Sequence, residues 1–240
     1  MSKYYYKKTA NNFFKKSLRA VAVMLLLIGL FISAYIFFPL LSWQIYFHPV
    51  FASQNITSPL PKSTFANLIL AAKNNLTGTD YTNAQNWFPN LNFGKLANAK
   101  TPKISSYNLS IPKIEIENAV VSTIDNNVGS HLVNYQGTSI PGDAGNAVIF
   151  GHSTLPQLFN PKDYKTIFAN VYKLKNGDSI YAIVNGVSYL YKIFSISVVD
   201  PSDTNAFSQS FDNSYITLVT CTPPGTVWKR LIIKAGLEKI

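Results

Sequence analysis

A single cysteine, Cys221, ends a short apolar run and is followed nine residues later by Arg230. A lone cysteine cannot form a disulfide within the chain, so its role lies in packing or in reactivity. Residues 217–221 and 230–234 have the composition of β-strands, and a Pro-Pro-Gly run breaks regular structure between them. If the two strands pair antiparallel, the thiol and the guanidinium face each other with Cβ atoms about 5 Å apart. A permanent cation there favours a thiolate and anionic intermediates, which is the chemistry of a cysteine nucleophile.

A histidine completes the set of side chains that such a nucleophile needs. His152 ends the apolar run 146–152, directly after Gly151, which leaves room for a substrate. Imidazole exchanges a proton near neutral pH and is the usual partner of a catalytic thiol. Catalytic groups of this kind commonly lie far apart in sequence and meet in the fold. Cys221, His152 and Arg230 are therefore the predicted catalytic residues.

Five short motifs mark the second half of the chain: Ile-Pro-Lys-Ile at 111–114, Gly-Thr-Ser-Ile-Pro at 137–141, Gly-Asn at 145–146, Gly-His at 151–152 and Thr-Leu-Val-Thr-Cys at 217–221, followed by Arg230. In type and order they resemble the signatures of the sortase family, and the resemblance covers residues 107–240. It implies an eight-stranded β-barrel and a cysteine transpeptidase activity.

The resemblance also implies a role for each candidate residue. Cys221 would attack a peptide carbonyl to form a thioester acyl-enzyme, and His152 would protonate the departing amine. Arg230 would donate hydrogen bonds to the oxyanion or hold the substrate backbone, and Thr220 would line the substrate pocket. His131 lies where related sortases often carry a non-catalytic histidine, so the catalytic role is assigned to His152.

Simpler interpretations exist for the same residue types. A free cysteine can be a small buried hydrophobic residue, and an arginine can cover the rim of a barrel. Three histidines and one cysteine are too scattered for a structural zinc site, so we predict no metal and no cofactor. Asp200, Asp203 and Asp212 are compatible with a calcium site, although solvated loop residues are the interpretation that we favour.

Charge divides the chain into a basic N-terminal part and a neutral remainder. Hydrophobic residues make up 47% and charged residues 13% of the 240 residues, and the net charge is +10. The first 19 residues carry six basic and no acidic side chains, whereas residue 107 onward carries ten of each. Nucleic-acid binding needs a basic patch on the folded domain, which this even balance does not indicate. We therefore predict no nucleic-acid partner, and the high apolar content instead indicates a membrane segment.

That segment is residues 20–41, which contain 22 residues and no charge. As a helix they span about 33 Å, enough to cross a hydrocarbon core of roughly 30 Å. The basic tail precedes the segment, so the positive-inside rule predicts a single-pass membrane protein with a cytoplasmic N-terminus and an extracytoplasmic catalytic domain. A cleaved signal peptide is the alternative, but its apolar core is usually only about 7–15 residues long. An uncleaved anchor is the prediction.

Residues 42–106 form a predicted connector that is rich in Asn, Ser, Thr and Pro. Within it, residues 63–72 have the apolar spacing of a short helix. The aromatic stretch 87–93 could pack on the barrel or cover its cleft, but we favour a spacer that lifts the domain off the membrane. The predicted organisation is a basic tail at 1–19, a transmembrane helix at 20–41, this connector, and a catalytic barrel at 107–240.

The remainder of the sequence predicts an all-β fold. Short β-branched runs alternate with turn signals, and Asn185-Gly186 predicts a tight hairpin. Helical turns are predicted at 164–172 and after Pro201. Seven or eight strands with few helices indicate a barrel or a sandwich. The predicted strands are 107–111, 115–123, 146–151, 179–184, 187–199, 215–221 and 230–235.

By resemblance, the enzyme would cleave a C-terminal sorting signal of the Leu-Pro-x-Thr-Gly kind between Thr and Gly. It would then pass the protein to an amine on the cell wall or on another surface protein. The predicted partners are therefore signal-bearing surface proteins, an amine acceptor and the membrane. Residues 217–230 are closest to the pilus-assembling (class C) sortases, but neither a C-terminal membrane helix nor the Asp-Pro-aromatic plug of that class is found. Surface anchoring is the activity we favour over pilus polymerisation.

Two other functions stay open at this point. An extracytoplasmic cysteine protease would transfer the acyl group to water, so its product would not depend on an added amine. A non-catalytic membrane-anchored module that binds peptides would keep its function after Cys221→Ala.

Overall fold

The computed structural model of the chain describes residues 12–42, 79–91 and 104–238. The first of these ranges is one helix, α1 (Asn12–Ser42), of 31 residues. Within α1 the stretch Lys16–Tyr35 is long and apolar enough to cross a membrane, with a mean hydropathy of 2.2 and no buried side chain. The helix thus agrees with the predicted anchor, while its orientation in a membrane stays a prediction. The helix predicted at 63–72 lies outside the described residues.

Residues 104–238 form a closed barrel of eight strands with the order β1-β2-β3-β4-β7-β8-β6-β5. The predicted eight-stranded all-β fold is therefore confirmed. Short 3-10 turns are the helical elements between these strands. The strands are β1 (Ser106–Ile111), β2 (Ile116–Ser122), β3 (Leu132–Asn134), β4 (Gly145–Phe150), β5 (Ser179–Val184), β6 (Val187–Val199), β7 (Ser214–Thr222) and β8 (Lys229–Leu237).

Two neighbours of β7 determine the geometry of its last residues. On one side β4 runs parallel to β7 and pairs Phe150 with Val219. On the other side β8 runs antiparallel and pairs Cys221 with Arg230. Because successive side chains in a strand point to opposite faces, Val219 and Cys221 lie on one face of β7 and Leu218 on the other, and Val219 and Cys221 pack in one buried cluster with Trp87 and Phe88.

The predicted hairpin between β5 and β6 is also confirmed. Asn185 and Gly186 both have positive φ, 49° and 81°. This is the backbone of the tight turn that matches the twist of the flanking strands.

A short segment from the predicted connector packs on the outer face of the barrel, and we call residues 79–91 the cover segment. It contains a 3-10 turn, Ala84–Trp87, whose N-cap Asn83 accepts a hydrogen bond from the amide of Gln85. Trp87 is fully buried and Phe88 is 1% exposed. The spacer interpretation is therefore wrong for these residues, because they form part of the folded domain.

Two backbone hydrogen bonds hold the start of the cover segment against the loop between β2 and β3. The amide of Ala84 donates to the Asn126 carbonyl, and the amide of Val128 donates to the Thr82 carbonyl, both at 2.9 Å. Inside the segment, the indole N–H of Trp87 donates to the Tyr81 carbonyl at 2.8 Å. These bonds fix the direction in which Trp87 enters the barrel surface.

Candidate active site

Cys221 lies near the end of β7, directly opposite Arg230 on β8. This is the arrangement that the sequence predicts. The thiol is buried, with 6% of the residue exposed. Burial raises the pKa of Cys221 above its ordinary value, and the positive charge of Arg230 lowers it by a smaller amount. This environment therefore favours the protonated thiol of Cys221.

His152 follows the end of β4, and its chain neighbours tie it to β7. The amide of Gly151 donates to the Val219 carbonyl at 3.2 Å. The hydroxyl of Ser153 donates to the Cys221 carbonyl at 2.7 Å. A bond on each side of His152 therefore places this residue beside the end of β7, next to the candidate nucleophile.

Thr220 adds a third hydrogen bond between β7 and the residues that follow β4. Its hydroxyl donates to the Gly151 carbonyl at 2.8 Å, and the residue is 2% exposed. The hydroxyl thus holds the chain that carries His152, and the substrate-binding role of Thr220 stays a prediction.

Gly151 is needed for close packing. A Cβ atom at this position would lie 2.5 Å from the ring of Phe168 and 2.6 Å from a methyl group of Leu132. The expectation that this glycine leaves room for a substrate is therefore wrong on its Cβ side, which these two side chains fill. The amide of Phe168 also donates to the His152 carbonyl at 2.9 Å, so the same packing fixes the histidine.

Burial lowers the pKa of His152, which favours the neutral imidazole at neutral pH. The carboxylate of Asp80, in the cover segment, acts in the opposite direction, and Lys165 lowers the pKa further. Burial thus favours the uncharged form of both groups, the Cys221 thiol and the His152 imidazole.

Arg230 is buried, and all the hydrogen bonds that its guanidinium makes to the described residues go to backbone carbonyls. Nε and Nη2 both donate to the Trp87 carbonyl, at 3.2 and 2.9 Å. Nη1 donates to the carbonyls of Val227 and Lys229, at 2.9 and 3.1 Å. In the described part of the chain no carboxylate pairs with Arg230. The guanidinium fork is therefore positioned to hold a peptide carbonyl, which the cover segment supplies here.

Aromatic rings from the cover segment complete the surroundings of these residues. The guanidinium carbon of Arg230 lies 5.6 Å from the Trp87 ring centroid and 5.9 Å from that of Phe88. The Trp87 ring is also 5.6 Å from the His152 ring. Trp87 and Phe88 belong to the stretch 87–93, for which the sequence allowed packing over the cleft but for which we favoured a spacer. The available signal was the pair of adjacent large aromatics in a polar connector.

Other residues considered from the sequence lie in separate contacts. His131 has Nε2 3.0 Å from the carboxylate of Asp125 and Nδ1 3.0 Å from the Leu132 carbonyl. Asp200 pairs with Lys229. Among the residues that the structure describes, no three metal-ligating side chains come together.

Solved structures share this barrel. Sortase A from Corynebacterium diphtheriae superposes with a TM-score of 0.51 at 25% identity, over 75% of this chain and 86% of that one. Sortase C-1 from Actinomyces oris superposes with a TM-score of 0.52 at 20% identity, over 75% of this chain and all of that one. At 20% identity, the likeness to sortase C-1 concerns the fold alone.

Sequence comparison agrees with the fold. Sortase A from Streptococcus agalactiae is 27% identical over 132 residues, which are 55% of this chain and 52% of the relative. Sortase A from Bacillus anthracis is 28% identical over 130 residues, 54% of this chain and 58% of the relative. The chain therefore matches little more than half the length of these relatives. A family model described as Sortase domain matches residues 109–238, more than half of the chain. The chain belongs to the sortase family.

Proposed function

We propose that the chain is a membrane-anchored cysteine transpeptidase in which Cys221 is the nucleophile. The observation that carries the proposal is the pairing of Cys221 with Arg230 across β7 and β8, beside a histidine whose neighbours bond to β7. The Cys221 sulfur would bond to a peptide carbonyl carbon while the C–N bond to the leaving amine breaks. His152 would take the thiol proton and give it to that amine. A second amine would then attack the thioester and release the thiol.

The proposed donor is a Leu-Pro-x-Thr-Gly-like C-terminal sorting signal, cleaved between Thr and Gly. The proposed acceptor is an amine on the cell wall or on another surface protein. Family membership and the motifs that end at Cys221 and Arg230 support both proposals. The helix α1, with its basic preceding residues, supports anchoring in the cell membrane with the barrel outside.

The test uses the full chain in detergent micelles with a Leu-Pro-x-Thr-Gly peptide, with and without a glycine-based amine, followed by mass spectrometry. We expect an acyl adduct on Cys221 and a ligated product whose yield rises with the amine. If only the free acid is released at every amine concentration, the chain is a protease and not a transpeptidase. If neither the adduct nor the product forms with any of a panel of signals, the peptide-binding module becomes the favoured function.

Arg230→Lys tests whether the planar fork is needed as well as the charge. Lysine keeps the cation but cannot place two N–H groups on one carbonyl. We expect kcat/KM for transfer to fall by about 10²- to 10³-fold, the usual effect of losing an oxyanion or carbonyl donor.

The matched control for Arg230→Lys is Lys229→Gln. Lys229 is the neighbouring residue on β8, and its side chain pairs with Asp200 away from the thiol. This control should stay within about threefold of wild type, as is usual for surface substitutions. Retention of full activity by Arg230→Lys would show that position 230 supplies only charge.

A further inference from the structure

Backbone pairing between β4 and β7 ends just before the candidate base. The last backbone bond between them runs from the Gly151 amide to the Val219 carbonyl. In the described part of the chain, no backbone bond joins His152 or Ser153 to β7. A 3-10 turn, Pro156–Leu158, begins soon afterwards, so the stretch that carries the imidazole does not continue β4. Groups other than the backbone ladder must therefore hold this stretch beside the thiol.

Two side-chain hydroxyls join β7 to this stretch, and each donates to a backbone carbonyl. The Thr220 hydroxyl on β7 donates to the Gly151 carbonyl at 2.8 Å. The Ser153 hydroxyl donates in the opposite direction, to the Cys221 carbonyl, at 2.7 Å. The two bonds lie on either side of His152 in the sequence, and the Ser153 bond ends on the residue that carries the thiol.

The Ser153 bond therefore connects the neighbour of the candidate base to the candidate nucleophile. Hydroxyl–oxygen bonds have a narrow range of lengths and weaken steeply when their geometry is lost. While this bond is formed, the backbone that follows His152 stays at a fixed distance from the backbone of Cys221. Proton transfer between the two side chains depends on that distance, and a displacement of about 1 Å can reduce the rate 10²-fold.

The contact on the other side of His152 does not set this distance. Its carbonyl accepts a hydrogen bond from the Phe168 amide at 2.9 Å, which ties the residue to the loop between β4 and β5. Without the Ser153 hydroxyl, that loop would still hold His152, but the chain beyond the imidazole would no longer be joined to β7. The expected consequence is a longer and more variable distance between imidazole and thiol.

We propose that Ser153 is a positioning residue for the transfer reaction, whose hydroxyl bond to the Cys221 carbonyl sets the distance between the thiol and the His152 imidazole. The proposal rests on the proposed function for the roles of Cys221 and His152. It goes beyond that function by naming the residue that holds the two groups together. Ser153 acts through its neighbour, because its own proton is donated to a backbone carbonyl.

Three substitutions at position 153 separate the hydroxyl from the shape of the side chain. In the full chain in detergent micelles, Ser153→Ala should lower kcat for transfer by about 10- to 100-fold. KM for the donor should change by less than about twofold, since Ser153 does not bind the donor. Ser153→Thr keeps the hydroxyl and should restore kcat to within about threefold of wild type. Ser153→Val has the shape of threonine without the hydroxyl and should resemble Ser153→Ala. Equal losses in the threonine and valine variants would overturn the proposal.

Thr226→Val is the matched control for loss of a hydrogen bond near the site. The Thr226 hydroxyl donates to the Pro223 carbonyl at 2.8 Å, within the loop between β7 and β8, and is half-buried like Ser153. Each variant loses one hydroxyl–carbonyl bond, so Tm should fall by about 2–4 °C in both. Only Ser153→Ala should lose kcat. An equal loss of kcat in Thr226→Val would show a general effect of weakening this end of the barrel and would overturn the positioning role.

Alkylation of Cys221 by iodoacetamide tests the proposal without any donor. An adjacent imidazole assists formation of the reactive thiolate, so its loss or displacement should slow alkylation at neutral pH by about five- to tenfold. Ser153→Ala and His152→Ala should therefore slow the reaction to similar extents and share one pH profile. The double variant should be no slower than His152→Ala alone, because Ser153 acts through the imidazole. Losses that multiply in the double variant, or an unchanged rate in either single variant, would overturn the proposal.

The two assays distinguish failure of this proposal from failure of the proposed function. If alkylation follows the expected pattern but no donor is transferred, the proposed function fails and the positioning role of Ser153 stands. If transfer occurs and Ser153→Ala keeps the full kcat, the positioning role fails alone.

Discussion

Replacing Cys221 with alanine is expected to reduce acyl transfer by at least about 10⁴-fold, the scale on which losing a nucleophile acts. Cys221 is the chain's one cysteine, so no second thiol can take its place. The thioester adduct seen by intact-mass analysis should vanish together with the ligated product. The fold should survive, because the substitution removes only one sulfur atom near the end of β7. We expect the free energy of unfolding to change by about 1 kcal/mol, as for a typical point substitution.

Cys221→Ser separates loss of the thiol from loss of a hydrogen-bonding side chain at this position. Serine keeps a small polar group but is a much poorer nucleophile without a dedicated base. The serine variant should bind the donor as well as wild type does and still form no adduct. Transfer within about tenfold of wild type in either variant would exclude Cys221 as the attacking group, since a nucleophile's loss cannot be that small.

Replacing His152 with alanine is expected to lower kcat by about 10²- to 10⁴-fold, the usual contribution of a general acid–base group. KM should change little, because His152 would act on protons rather than on donor binding. Added imidazole should restore part of the activity by entering the space left by the ring. Steady-state kinetics with and without imidazole measure both effects.

His131→Ala is the matched control, because it removes the same side chain from elsewhere in the barrel. Its imidazole lies between Asp125 and the Leu132 carbonyl, so its loss should leave transfer within about threefold of wild type, as for other surface changes. Equal losses in the two variants would mean that neither histidine transfers the proton alone. A larger loss in His131→Ala would move the acid–base role there.

The pairing of Cys221 with Arg230 was predictable because local patterns determine it. Two β-branched runs separated by a Pro-Pro-Gly break predict a hairpin, and its antiparallel register then pairs Cys221 with Arg230, as observed. The bounds of β5 and β6 were also predicted as observed, since a tight turn separates two long β-rich runs. By contrast, β3 was missed. It has three residues, and its parallel pairing with β2 leaves no signal in the local sequence.

The cover segment was not predictable as part of the site for a related reason. Its polar sequence has no strand or helix period, and its burial depends on a surface assembled from β4, β7 and β8. The hydrogen bonds from Arg230 to Trp87 join residues 143 positions apart. The adjacent aromatics Trp87 and Phe88 allowed packing on the barrel, but the polar composition around them favoured a spacer, and no local pattern identified Arg230 as the partner.

The two partners of β7 lie at very different distances along the chain. β8 follows it after a short loop, whereas the bonds that bring His152 to β7 join residues 68 and 69 positions apart. Nearby strands associate sooner than distant ones, because closing a long loop costs more entropy. A newly made chain is therefore expected to carry Cys221 beside Arg230 before the histidine and the cover segment arrive. During that interval the thiol would be activated but unshielded, which makes folding the period of greatest sensitivity to oxidants.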